Sequence, residues 1–174
     1  CDWSSDVCSS DLDYCRYSAM PVGRFVLDVH GESRDLWPAN DALCAALQVI
    51  NHLQDCGKDY RQLDRVYIPE ESFRAAGAQV SDLGADKATP GLRAAITELA
   101  DKTMQLLDQS SMFAGMICDR RLGIEVAIIH KLAVSLTKRL QTRDPLSERV
   151  HHRAPEAILL ALSATLGQIM GWRA

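Results

Sequence analysis

Asp41–Tyr60, DALCAALQVINHLQDCGKDY, decides the fold. At about 100° per residue, Gln48, Asn51, Asp55 and Asp59 share one stripe about 80° wide. Leu43, Ala46, Leu47, Ile50 and Leu53 fall on the opposite side. A segment with this period is a helix that packs one face in a bundle and presents two amides and two carboxylates on the other. Asn40 or Asp41 is the expected cap, and the helix is expected to run to about Tyr60. Gly57 inside it costs roughly 1 kcal/mol relative to alanine.

Outward from this helix the chain reads as helical almost throughout. Asp13–His30 predicts a first helical segment, interrupted by Pro21 and Gly23 and closed by Gly31. Leu63–Phe73 reads as extended or looped around Pro69, and Ser81–Ala88 as a short helix. Thr89–Pro90 reads as cap and first helical residue. The next helix carries Leu92, Ala95, Ile96, Leu99, Thr103, Leu106 and Leu107 at steps of three and four. Leu122–Leu140 is apolar on nearly every side, which predicts a helix buried among others. Asp144–Pro145 ends it, and Pro155 opens a last helix through Met170. No stretch alternates with period two for long, so the expected fold class is all-α.

Cys1–Leu12, CDWSSDVCSSDL, stands apart. It has no apolar period and neither a basic nor an apolar signal-peptide region, and its string resembles a translated sequencing-library adapter. The expected organisation is residues 1–12 as an artefact and 13–174 as one partial domain. Removing its Asp2, Asp6 and Asp11 from 23 acids leaves 20 against 19 bases, and moves the formal charge from −4 to −1. So balanced a chain offers no electrostatic footprint for nucleic acid. Four cysteines remain, Cys15, Cys44, Cys56 and Cys118, without metal-ligand spacing. They are expected to be reduced, buried small hydrophobes in a cytoplasmic protein. The longest apolar run, Ala157–Met170, falls short of the roughly 20 residues a membrane span needs. No transmembrane segment is therefore expected, and a peripheral contact at the inner face of the cytoplasmic membrane stays open.

Asp55 and Asp59 lie one turn apart, and Asn51 adds an oxygen a turn earlier. Mg²⁺ favours such hard donors, with water and substrate phosphate completing its shell. Two carboxylates at this spacing repel unless a cation stands between them. Spacing alone does not separate this from a solvated acidic face.

Three stretches carry a family resemblance. QVINHLQDCGKDYRQLDRVYIP, Gln48–Pro69, resembles the second aspartate-rich motif of squalene and phytoene synthases, Q-x-x-N-x-x-x-D-x-x-x-D followed by R-x-Y-x-P. YCRYSAMPVG, Tyr14–Gly23, is similar to the family's Y-C-x-Y-x-A-x-x-V-G. CDRRLGIEVAIIHKLA, Cys118–Ala133, with DPLSERV beyond it, follows in the family's order. The resemblance implies an isoprenoid synthase-type helical bundle, truncated at its N-terminus. Within the family the likeness is to the hydroxysqualene-forming branch of bacterial hopanoid biosynthesis. That branch implies Mg²⁺-dependent ionisation of presqualene diphosphate, rearrangement, and capture of the cation by water.

The resemblance makes Asp55 and Asp59 metal ligands and catalytic residues, with Asn51 as a further oxygen ligand or diphosphate contact. It makes Gln48, Arg65 and Tyr67 substrate contacts, and puts Tyr14 near the reacting cation. Arg149 matches a late basic residue near the phosphates, against a surface arginine. Gln54 stands where the family often has arginine, which removes a guanidinium from the phosphate side. His130 stands for a late tyrosine, against a core histidine with one hydrogen bond, and His151 and His152 read as exposed. No first aspartate-rich motif precedes Tyr14, so the resemblance implies half a metal site and no useful turnover by this polypeptide alone. Alternatives are head-to-head condensation of prenyl diphosphates such as farnesyl diphosphate, as in presqualene diphosphate or phytoene synthases, and a non-catalytic helical binding module.

Overall fold

A computed structural model describes residues 14–171. Residues 1–13 and 172–174, and with them the expectation for Cys1–Leu12, lie outside the described residues. After a helical turn at residues 14–17 come α1 (Ala19–Val29), α2 (Trp37–Leu63), α3 (Glu70–Ala76), α4 (Pro90–Gln109), α5 (Phe113–Met116), α6 (Arg120–Thr142) and α7 (Ala154–Gly171). Short 3-10 turns occupy Arg34–Leu36 and Val80–Gly84, and there is no strand among the described residues.

The core lies where α2, α4 and α6 meet. Ala45 and Ala46 of α2 and Ala95 and Ala100 of α4 are fully buried, and these small side chains let the helices approach closely. Ile50, Leu53, Leu92, Ile96, Leu107 and Leu140 fill the space between, each contributing roughly 1.5–3 kcal/mol by leaving water. Two buried hydroxyls bond back within their own helices, Thr103 to the Leu99 carbonyl at 2.7 Å and Thr137 to the Ala133 carbonyl at 2.9 Å. They cost the core no unsatisfied donor. α1 flanks α2, and α7 lies along α6.

Several boundaries differ from the sequence reading. Pro21 and Gly23 do not interrupt α1. Pro21 sits in the first turn, where its missing N–H has no intrahelical acceptor. A Cβ on Gly23 would collide with Asn40 Oδ1 and stand 2.5 Å from Cys44 Sγ, so glycine here lets α1 press against α2. Neither Asn40 nor Asp41 caps α2, which starts at Trp37 with proline in its first turn. Their side chains serve tertiary contacts instead. Asn40 is buried and donates to the Asp41 carboxylate at 3.1 Å. Asp41 pairs with Arg24 of α1, whose guanidinium stacks 4.6 Å above the Trp37 ring. Ser81–Ala88 is a 3-10 turn over Val80–Gly84, and α3 begins within the stretch read as loop. Thr89 caps α4 as expected, its hydroxyl accepting from the Leu92 N–H.

α6 is less enclosed than its composition suggests, with Ile129 40% exposed and Ile124, Ile128 and Leu132 half-buried. Its start is fixed twice. Asp119 accepts from the N–H groups of Arg121 and Leu122, and buried Glu32 accepts from those of Cys118 and Asp119. The DPLSERV stretch is held by Asp144, which is buried and accepts from the Ala88 N–H, the Leu146 N–H and the Ser147 hydroxyl. Leu146 then packs on Gly57, where a Cβ would come within 2.9 Å of its Cγ. That contact explains a glycine in mid-helix.

Candidate functional site at the end of α2

α2 ends at Asp64, which takes the left-handed conformation (φ 52°, ψ 42°). Its N–H bonds back to the Tyr60 carbonyl, and that of Arg65 to the Asp59 carbonyl, so the chain doubles back along the helix. The reversal brings Tyr67 alongside the last turns of α2. The Tyr67 hydroxyl donates to Asp59 Oδ2 at 2.8 Å. Burial and this hydrogen bond raise the phenol's pKa above its ordinary value, so at neutral pH it is a protonated donor.

His52 joins the two ends of the stripe. Its ring lies face to face with Tyr67, centroids 4.0 Å apart and planes 3° from parallel. On its other side Gln48 Nε2 is 2.8 Å from His52 Nε2. An amide nitrogen only donates, so Nε2 is the acceptor and the ring proton is on Nδ1. Burial lowers the imidazole's pKa, partly opposed by Asp59, which favours this neutral form. Tyr14, half exposed, sits 5.9 Å from the same ring.

Tyr14, His52, Arg65, Val66, Tyr67, Ile68 and Pro69 line a cleft of about 490 Å³. The structure thus brings together Tyr14, Arg65 and Tyr67, joins Asp59 to them through Tyr67, and joins Gln48 through His52. Arg65 is exposed on the rim of this cleft, and its charge lies close enough to the Tyr67 phenol to oppose the rise in that group's pKa. Asp55 is half-buried and Asn51 exposed on the same face, and among the described residues no side chain donates a hydrogen bond to either. Among the described residues, no group of three His, Cys, Asp or Glu side chains is placed to hold a metal ion. Two carboxylates and an amide oxygen nevertheless suit Mg²⁺, which accepts one or two carboxylates and takes its other ligands from water and phosphate.

Apolar ground adjoins this polar end. Gln48 borders a groove of about 440 Å³ that also touches Val22, Gly23, Cys44 and Leu47. Gly23, Cys44 and Leu47 border a second, of about 280 Å³, running between α1, α2 and α6 to Phe113, Val126 and Ile129.

A sequence profile of squalene/phytoene synthases matches residues 11–156. The chain belongs to the squalene/phytoene synthase family. It is 61% identical over 158 residues to a hydroxysqualene synthase of Zymomonas mobilis, which covers 91% of this chain and 53% of that protein. It is 54% identical to a hydroxysqualene synthase of Rhodopseudomonas palustris, over 91% of this chain and 54% of that one. To a phytoene synthase of Thermus thermophilus it is 34% identical, over 89% and 53%. The crystal structure of the squalene synthase HpnC of Alicyclobacillus acidocaldarius superposes with a TM-score of 0.71 at 33% identity, over 78% of this chain and 51% of that one. The chain spans about half the length of the curated relatives it matches. Over the matched half, this chain has the all-α isoprenoid synthase fold of that structure.

The remaining positions weighed from the sequence divide: His130, Arg149 and His151 take their plain structural readings, whereas His152, Cys44 and Cys118 do not. His130 is half-buried, with Nε2 2.8 Å from the Leu107 carbonyl, the single hydrogen bond expected of a core histidine, and it borders a cleft of about 490 Å³ with Met112, Val134 and Ala164. The Gln54 amide nitrogen is buried, without a hydrogen-bond partner among the described residues. Arg149 is exposed and donates to the carbonyls of His151 and His152. His152 is half-buried against the Ser135 hydroxyl at 2.9 Å, and only His151 is exposed. Cys15 and Cys56 are buried, but Cys44 is only partly so and Cys118 is exposed. Burial pushes the Cys56 thiol up to about 12 and the Cys44 thiol to about 11, which keeps both protonated.

The residue that sequence reasoning missed is His52. Its helical angle falls about 40° from Gln48, beside the stripe, but the family pattern leaves its position unspecified. A histidine on the functional face of an otherwise amphipathic helix was the available signal.

Proposed function

We propose that this chain carries part of the active site of an enzyme that ionises presqualene diphosphate and lets water capture the rearranged cation as hydroxysqualene. The observation that carries the reading is the meeting of an oxygen-donor face with an apolar groove. Asn51, Asp55 and Asp59 would hold Mg²⁺, and Gln48, Arg65 and Tyr67 would contact the diphosphate. The bound ion would neutralise charge on the departing diphosphate. The grooves along α1, α2 and α6 offer a surface for the isoprenoid chains, and Tyr14 presents an aromatic face or phenol to the cation. Similarity at 61% and 54% identity to two hydroxysqualene synthases favours this substrate over head-to-head condensation.

The test is product analysis. A version extended to the length of its relatives, given presqualene diphosphate and Mg²⁺, should release diphosphate and form hydroxysqualene. Consumption of two farnesyl diphosphates instead would assign condensation. The 174-residue chain by itself should show no comparable turnover. The proposed location is the cytoplasm, in keeping with four unbridged cysteines among the described residues.

A further inference from the structure

His52 is buried in α2, yet its side-chain contacts are those of a site. Gln48 Nε2 stands 2.8 Å from its Nε2, Tyr67 lies flat against its ring, and the Tyr14 ring is tilted by 40° at 5.9 Å. All three neighbours belong to the proposed diphosphate and cation site, and His52 lines the same cleft as Tyr14, Arg65 and Tyr67.

Tyr67 has little else to hold it. It is half-buried, and residues 64–69 form neither helix nor strand. A phenol O–H lies in the plane of its ring, so a stack with planes 3° from parallel aims the hydrogen that Asp59 Oδ2 accepts. His52 is held in its turn. An amide nitrogen only donates, so Gln48 fixes which ring nitrogen of His52 carries the proton and how the ring is rotated. The contacts close a loop from Gln48 to His52, Tyr67 and Asp59, which returns to Gln48 through about three turns of α2. Mg²⁺ demands near-ideal octahedral geometry, and groups that orient a ligating carboxylate tune its affinity.

We infer that His52 is a positioning residue, acting through the Tyr67 phenol to set the Asp59 carboxylate for a metal-bound diphosphate. The inference rests on the reading of Asp59 as a metal ligand, and not on which prenyl diphosphate is ionised.

Calorimetry of Mg²⁺-dependent binding of inorganic pyrophosphate, on the protein extended to its relatives' length, tests it. His52→Ala should weaken binding about tenfold. In a Tyr67→Phe background the same change should cost less than about twofold, because its route to Asp59 is already cut. His52→Phe keeps a ring against Tyr67 without an acceptor for Gln48. It should bind about threefold more weakly than wild type, and that loss too should vanish in the Tyr67→Phe background. In the metal-free protein, ¹⁵N spectra of His52 should show the Nδ1–H tautomer, and Gln48→Leu should release it.

Wild-type affinity in both His52 variants overturns the inference. So does a His52 loss that persists undiminished beside Tyr67→Phe, which would mark a general loosening of the fold. An Nε2–H tautomer in the wild type overturns it as well, since Gln48 would then not anchor the ring. A wild type that binds no pyrophosphate with Mg²⁺ overturns the diphosphate reading itself, and this inference with it.

Discussion

Tyr67 donates its hydroxyl to Asp59 Oδ2 at 2.8 Å while its ring is stacked 4.0 Å from that of His52. One carboxylate oxygen is thereby occupied, so that Oδ1 is the oxygen that would meet the proposed Mg²⁺. Tyr67 holds this position because His52 supports its face and Gln48 anchors His52.

Replacing His52 should therefore disturb residues on both sides of it. His52→Ala removes the stack and the acceptor for Gln48, and should cost roughly 1–3 kcal/mol in urea unfolding. His52→Phe keeps the stack and should recover part of that loss. An equal loss in both variants would show that the hydrogen bond to Gln48 alone matters.

Cation binding should couple to stability through Asp55 and Asp59. With Mg²⁺ and pyrophosphate at about 100 times Kd, linkage adds about 2.7 kcal/mol, or roughly 5–10 °C in Tm for a domain of this size. Asp55→Asn and Asp59→Asn should each abolish most of the rise seen by differential scanning fluorimetry. A rise preserved in both would remove the carboxylates from the cation site.

The α2 stripe was legible because helical period is a local property, and Asp55, Asp59 and Gln48 stand on it as the wheel places them. The start of α2 was not, because Asn40 and Asp41 have the chemistry of caps and only tertiary contacts with α1 recruit them elsewhere. His52 escaped because its role depends on Tyr67, fifteen residues on, which returns to it through the left-handed turn at Asp64.

Gly23 and Gly57 should separate in their response to alanine. At Gly23 the added Cβ meets Asn40 and Cys44 in the α1–α2 contact, and overpacking should cost roughly 1–3 kcal/mol. At Gly57 it comes within 2.9 Å of Leu146 Cγ, a less severe approach, and about 1 kcal/mol of recovered helix propensity offsets part of the crowding. Urea midpoints should place Gly23→Ala well below Gly57→Ala, and the reverse order would refute this account of α1 packing.

Asp144 should give the fold an acid-sensitive contribution. Burial alone would raise its pKa, but hydrogen bonds from the Ser147 hydroxyl and the N–H groups of Ala88 and Leu146 outweigh it and hold the carboxyl below its ordinary value. A folded-state pKa lower than the unfolded one stabilises the protein above the ordinary carboxylate range. That contribution is lost as pH falls through the folded value. Asp144→Asn should thus cost roughly 1–3 kcal/mol at pH 7, because a neutral amide cannot replace a charged acceptor of three hydrogen bonds. Toward about pH 3 the wild type should lose stability faster than the variant, so that the difference narrows. Comparing the two proteins isolates this group from Asp119 and Glu156, whose pKa values are also depressed. A gap in unfolding free energy that stays constant from pH 7 to about pH 3 would mean that the Asp144 charge does not hold the DPLSERV turn against α4.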